Sequence, residues 1–152
     1  MAFHYSLRDP AFVFYSAHFI VKDQERESLH GHSYRVELSL TSSRPLEALR
    51  IGAIRLIVAK VCSELSCKFL LPAKSQHLSY ERIEGNHYQL KVWGKPTYVF
   101  PIETCLQLPL AYSSAEMLSE YILDCLKEER GADIAITVGV FEKEGQGACC
   151  KL

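Results

Sequence analysis

The sequence predicts an α+β domain in which an antiparallel sheet carries two helices on one face. Three observations lead there. Residues 32–41 and 132–141 alternate apolar and polar side chains, as half-buried strands do. Two segments, from Leu46 to about Leu65 and from Ser113 to Gly131, repeat apolar residues with a helical period. Between them, short β-rich runs are separated by Gly85-Asn86 and Gly94, which reads as a hairpin or meander. The order is strand, strand, helix, meander, helix, strand, with a short final strand possible in the tail from Gly145 to Cys150.

Each element has its own reason. Residues 11–20 (AFVFYSAHFI) are aromatic and apolar in both phases and predict a strand covered on both sides. Val21 to Leu29 is charged and aperiodic, hence a loop. In the next strand His32, Tyr34, Val36, Leu38 and Leu40 share one phase, while Ser33, Arg35, Glu37 and Ser39 fill the other. Pro45 suits the first turn of helix one, with Ser42 or Ser43 as its cap and Leu49, Ala53, Leu56, Ile57 and Val61 as its apolar spacing. Helix two begins with Ser113 and Glu116 at capping-box spacing, buries Met117, Leu118, Tyr121, Ile122, Cys125 and Leu126, and ends at Gly131. In the last strand Ile134, Ile136, Val138 and Val140 form one phase that runs on into Glu142.

Composition narrows the function. With 152 residues, 48% of them hydrophobic, the chain is long enough for one domain with a sizeable core, here taken as residues 1–152. A net charge of −1 without a basic stripe points away from nucleic acid and towards a small polar metabolite. No apolar run reaches membrane-spanning length, and none follows a basic N-terminal segment, so a soluble cytoplasmic protein is expected. Six cysteines without CxxC spacing are expected to be reduced.

The candidate chemistry centres on Leu29-His30-Gly31-His32-Ser33-Tyr34 and on His18 upstream. His30 and His32 lie on the same face of a strand, and His18 can complete a three-nitrogen set. An H-x-H pair is common without any metal. Here, however, the histidines continue apolar faces, where burial is costly without a partner. Three imidazoles with no thiolate suit zinc with an open fourth position. Glu27, three residues before His30, is a candidate general base, and Glu142 is a carboxylate at the end of an apolar face that needs a partner.

Several stretches, taken in order, resemble the 6-pyruvoyltetrahydropterin synthase-like proteins of the tunnelling fold. They are FYSAHFI, LHGHSYRVELSL, CKFLLP, FPIETCLQLPLAYSSAEMLSEYIL and VFEKEGQGA. The resemblance implies that His18, His30 and His32 hold Zn2+, that Glu142 anchors a pterin ring, and that Ser113 and Ser114 are a hydroxyl pair near it. It implies a homotrimer or homohexamer whose sheets join between subunits into a barrel. It also implies lyase activity on 7,8-dihydroneopterin triphosphate, giving 6-hydroxymethyl-7,8-dihydropterin or 6-pyruvoyltetrahydropterin. Two features depart from the usual family pattern. Val21 to Leu29 contains no cysteine to serve as base, and Ser66-Cys67 stands where an Asp-His pair is usual. The segment from Arg26 to His32 is similar instead to the subfamily in which glutamate replaces that cysteine, which makes Glu27 the base. Two alternatives stay open: a pterin-binding homologue with impaired or no catalysis, and an enzyme resembling 6-carboxytetrahydropterin synthases.

Overall fold

Strand β3 (His30–Ser42) is the longest strand, and its burial alternates as its sequence does, with Tyr34, Val36, Leu38 and Leu40 turned inward. In this computed structural model, which describes residues 1–45, 49–129, 131 and 133–151, most of a seven-stranded sheet assembles around it. Along one side of β3 its first half pairs with β2 (Val13–His18) and its second half with β1 (Phe3–Leu7), both antiparallel. Along the other side lies β9 (Ile134–Lys143), which pairs in turn with β10 (Gln146–Lys151). Beyond β2 come β4 (Lys68–Pro72) and β8 (Cys105–Leu108).

The sheet is mainly antiparallel, but β2–β4 and β4–β8 are parallel pairs. Parallel neighbours need long crossovers. The first crossover runs through β3 and α1 (Ile51–Leu65), and the second through a separate antiparallel sheet. That second sheet consists of β5 (Leu78–Ile83), β6 (His87–Val92) and β7 (Lys95–Pro101), the meander expected from the sequence.

Both helices, α1 and α2 (Ala115–Cys125), pack on one face of the large sheet. Ile54, Val58, Val61, Cys62 and Leu65 of α1 join Leu118, Ile122 and Leu123 of α2 against Phe14, Tyr34, Leu38 and Val138. A second cluster forms between β4 and the small sheet, where Phe19, Val21, Phe69 and Leu71 meet Leu78, Leu90 and Val92. Strand β4 therefore divides its side chains between two cores, Leu70 in the first and Phe69 and Leu71 in the second. This explains its unbroken apolar run. Among the described residues no helix is long and apolar enough to cross a membrane.

Several boundaries differ from expectation. Strand β2 is covered on one face only along its first half, since Tyr15 is 57% exposed. Helix α1 begins at Ile51 after Arg50, with no side-chain cap, and Leu46 to Ala48 of the expected first turns lie outside the described residues. Ser42 does not cap it, because β3 extends to that residue and its hydroxyl accepts from the Arg44 N–H at 3.0 Å. Leu56 is exposed because it lies about 200° around the helix from Ile54. Helix α2 is capped by Ser114 rather than Ser113, and it ends at Cys125 in tight turns rather than at Gly131.

Candidate metal centre

Antiparallel pairing brings the histidines together. His18, the last residue of β2, sits directly opposite His30, the first of β3, and His32 follows two positions on across Gly31. The Nε2 atoms of His18 and His30 are 3.1 Å apart, and those of His30 and His32 are 3.0 Å apart. Each residue of the trio thus turns a ligand atom towards one point. Gly31 is fitted to this place, since a Cβ there would sit 3.3 Å from the Ser16 carbonyl oxygen.

The far sides of two of the rings explain why their near sides suit a cation. His18 Nδ1 donates to the Ser113 carbonyl at 2.7 Å, and His30 Nδ1 donates to the Ser28 carbonyl at 2.7 Å. A carbonyl oxygen only accepts, so in the neutral rings both Nδ1 atoms carry the proton and both Nε2 atoms are bare lone pairs. Two lone pairs facing each other at 3.1 Å repel unless something positive lies between them. Zinc bound tetrahedrally at its usual Zn–N length would separate its ligand nitrogens by about 3.3 Å, close to the spacing found. Burial holds His18 down at about pKa 4, with the Ser113 bond partly opposing it and the neighbouring imidazoles reinforcing it. The ring is therefore neutral, as a ligand must be. The donor set fits zinc.

Beside the trio lies a cleft of about 200 Å³ bordered by Ile20, Glu27, Ser114, Glu116, Glu142 and Gln146. Glu142, on β9, comes within 4.0 Å of His32 Nε2 and accepts from Gln146 Nε2 at 3.0 Å. Glu27 is anchored on Ile20, where its Oε2 accepts from the Ile20 N–H at 3.0 Å and its own N–H donates to the Ile20 carbonyl at 3.0 Å. Tyr34, fully buried and stacked on Phe14, directs its hydroxyl to 3.4 Å from His18 Nε2. Burial, then Glu142, then Glu27 push its phenol above the ordinary range, so it stays protonated.

The structure brings His18, His30 and His32 together as one trio, and Glu27, Glu142 and Ser114 border one cleft, which Glu142 connects to the trio at His32. Ser113 is turned differently: it is buried, and its hydroxyl lies 3.3 Å from His18 Nδ1. Ser66 accepts from the Tyr15 N–H, and Cys67 borders a second hollow of about 590 Å³ that also touches Gly31, His32 and Lys68. Sequence reasoning missed Gln146 and the Tyr34 hydroxyl. Tyr34 shares the phase of His32, which was signal enough. Gln146 follows the Gly145 turn (φ +77°) at a register shift, and at Gly147 a Cβ would lie 2.5 Å from the Val140 carbonyl.

A mainly antiparallel sheet that gathers three imidazoles beside a carboxylate-lined cleft defines the class, an α+β protein built around a metal-competent histidine cluster. The family profile of 6-pyruvoyl tetrahydropterin synthase matches residues 9–151, and the chain belongs to that family. A Methanocaldococcus jannaschii protein provisionally named 6-carboxy-5,6,7,8-tetrahydropterin synthase is 34% identical over 144 residues, covering 90% of this chain and 87% of its own. The solved structure of Plasmodium falciparum 6-pyruvoyl tetrahydropterin synthase superposes with a TM-score of 0.90 at 31% identity, covering 99% of this chain and 98% of its own. The Plasmodium vivax synthase gives 0.90 at 29%, covering 100% and 98%. A variant of the P. vivax protein with a catalytic glutamate replaced by alanine superposes equally well, at 28% identity.

Proposed function

We propose that the chain, as one pterin-binding domain over residues 1–152, is a zinc-dependent lyase that cleaves the side chain of 7,8-dihydroneopterin triphosphate to leave 6-hydroxymethyl-7,8-dihydropterin. The observation that carries this reading is that Glu27 and Glu142 border one cleft and that Glu142 reaches the histidine trio at His32. The catalytic glutamate of the P. vivax relative supports a glutamate in the role of base.

Glu142, oriented by Gln146, accepts hydrogen bonds from a ring N–H and the amino group of the pterin, which sets the ring's direction in the cleft. Ser114 at the cleft wall and Ser113 behind His18 are the hydroxyl pair near the ring. His18, His30 and His32 hold the zinc, which when bound polarises the side-chain hydroxyls and lowers their pKa. Glu27 removes the proton from the hydroxyl on the second side-chain carbon. The bond to the first carbon then breaks, and its electron pair passes into the ring imine. A proton later returns to the first carbon, and a two-carbon aldehyde departs with the triphosphate. Tyr34, kept protonated, is an O–H donor at the edge of this chemistry.

A second reading is favoured by the archaeal relative, whose name gives 6-carboxytetrahydropterin as product. Elimination of triphosphate to 6-pyruvoyltetrahydropterin, or binding without turnover, would use the same pocket. Incubating zinc-loaded protein with 7,8-dihydroneopterin triphosphate and separating the products by chromatography distinguishes them. The expected result is 6-hydroxymethyl-7,8-dihydropterin, with Glu27→Ala lowering turnover by about a hundredfold or more. Undiminished turnover in that variant removes Glu27 as the base, and tight pterin binding without product favours a non-catalytic role. Cytoplasmic location is supported by six unpaired thiols. A homotrimer or homohexamer is supported by the open outer strands β8 and β10.

A further inference from the structure

Glu27 sits at the end of a charged excursion from the sheet, Val21 to Leu29, whose tip is a miniature hairpin. Val21 bridges Arg26, and the Lys22 N–H donates to the Glu25 carbonyl at 2.8 Å. Val21 is buried, but every residue from Lys22 to Leu29 is exposed. Burial of its own side chains therefore does little to fix this turn.

The second sheet holds it instead. The indole N–H of Trp93 donates to the Lys22 carbonyl at 3.0 Å, across 71 residues of sequence. The Arg26 guanidinium carbon lies 5.8 Å from the centroid of the Tyr98 ring, within cation–π range. Both contacts come from the β6–β7 hairpin, and they grip the two ends of the turn just ahead of Glu27.

Trp93 is an expensive residue at its position. The two-residue connection Trp93-Gly94 has φ of +48° and +76°, the left-handed pair that asparagine and glycine adopt with least strain. The residue is 45% exposed, so core packing is a poor reason for its presence. Its reach to Lys22 is a better one.

We propose that Trp93 and Tyr98 are positioning residues for Glu27, clamping the turn so that the carboxylate stays docked on Ile20 and faces the histidine trio. This inference rests on the reading of Glu27 as base. It gives the β5–β7 sheet a part in the reaction although neither clamp residue borders the cleft.

The test uses the zinc-loaded protein with Trp93→Asn, which places Asn-Gly in the turn and keeps the hairpin well formed, and Tyr98→Leu as a second variant. Turnover of dihydroneopterin triphosphate, zinc content, and trypsin cleavage after Lys22 and Arg26 are measured for both. The expected result is a kcat about five- to tenfold lower at unchanged KM and full zinc content, with cleavage at the turn faster by a similar factor. Wild-type kcat in both variants overturns the proposal, whether or not cleavage at the turn is faster. Glu27→Ala run in parallel separates the two ideas. If its turnover is undiminished, the reading of the base fails whatever the clamp does, whereas faster cleavage in Trp93→Asn still establishes the clamp.

Discussion

His18 shows how one side chain is made fit to serve as a metal ligand. Its Nδ1 is spent on a backbone carbonyl, its Nε2 is left bare beside a second bare nitrogen, and burial keeps it uncharged. Because the orienting acceptor is the Ser113 main chain, the Ser113 hydroxyl is expected to contribute little to metal affinity. His18→Ala, His30→Ala and His32→Ala are each expected to bring bound zinc below about a tenth of wild type by elemental analysis, and Ser113→Ala to weaken affinity by less than about tenfold. Zinc retained by all three alanine variants would refute the assignment. The histidines were legible in the sequence because strand parity is local, and His30, Gly31 and His32 announce their own face. The orientation of Ser113 was not, since it depends on a contact spanning 95 residues.

Between residue and molecule, capping and propensity make separable contributions. Ser114 Oγ accepts from the Met117 N–H at 3.4 Å, so Ser114→Ala is expected to lower stability by about 0.5–1 kcal/mol in urea denaturation. Gly52 is exposed in the first turn of α1, and a Cβ there meets nothing within 4 Å, so Gly52→Ala is expected to raise stability by about 0.5 kcal/mol. Opposite signs would show that neither helix end is built as described. The elements read best from sequence were β3 and β9, whose long alternation has one interpretation. Strands β4 and β8 were harder because four- or five-residue runs such as KFLLP carry no measurable period. Their parallel pairing is set by long crossovers rather than by any local signal. Leu56 misled because helical spacing alone does not say which of two overlapping stripes faces the sheet.

For the molecule as a whole, the core between helices and sheet encloses one ionisable group whose energetics are simple. Cys62 is fully buried, and burial pushes its thiol up to about 12 from an ordinary 9.0. Between those values the unfolded chain has lost the proton that the folded chain keeps, so stability falls as pH rises. The expected slope from this residue is roughly 1.4 kcal/mol per pH unit above pH 9, with Tyr34, also raised by burial, adding to it further up. Cys62→Ala is expected to flatten the alkaline limb of the denaturation profile, and an unchanged slope would contradict it. One consequence follows from the way β2 is enclosed, with ladder neighbours on both edges and the helix-side core beneath Phe14. The strand that bears His18 is therefore expected to be among the last parts of the molecule to open. A resident ion on that strand would leave by ordinary dissociation into the cleft and would not be shaken loose by fraying, so its residence time would follow ligand chemistry more than the protein's thermal motion.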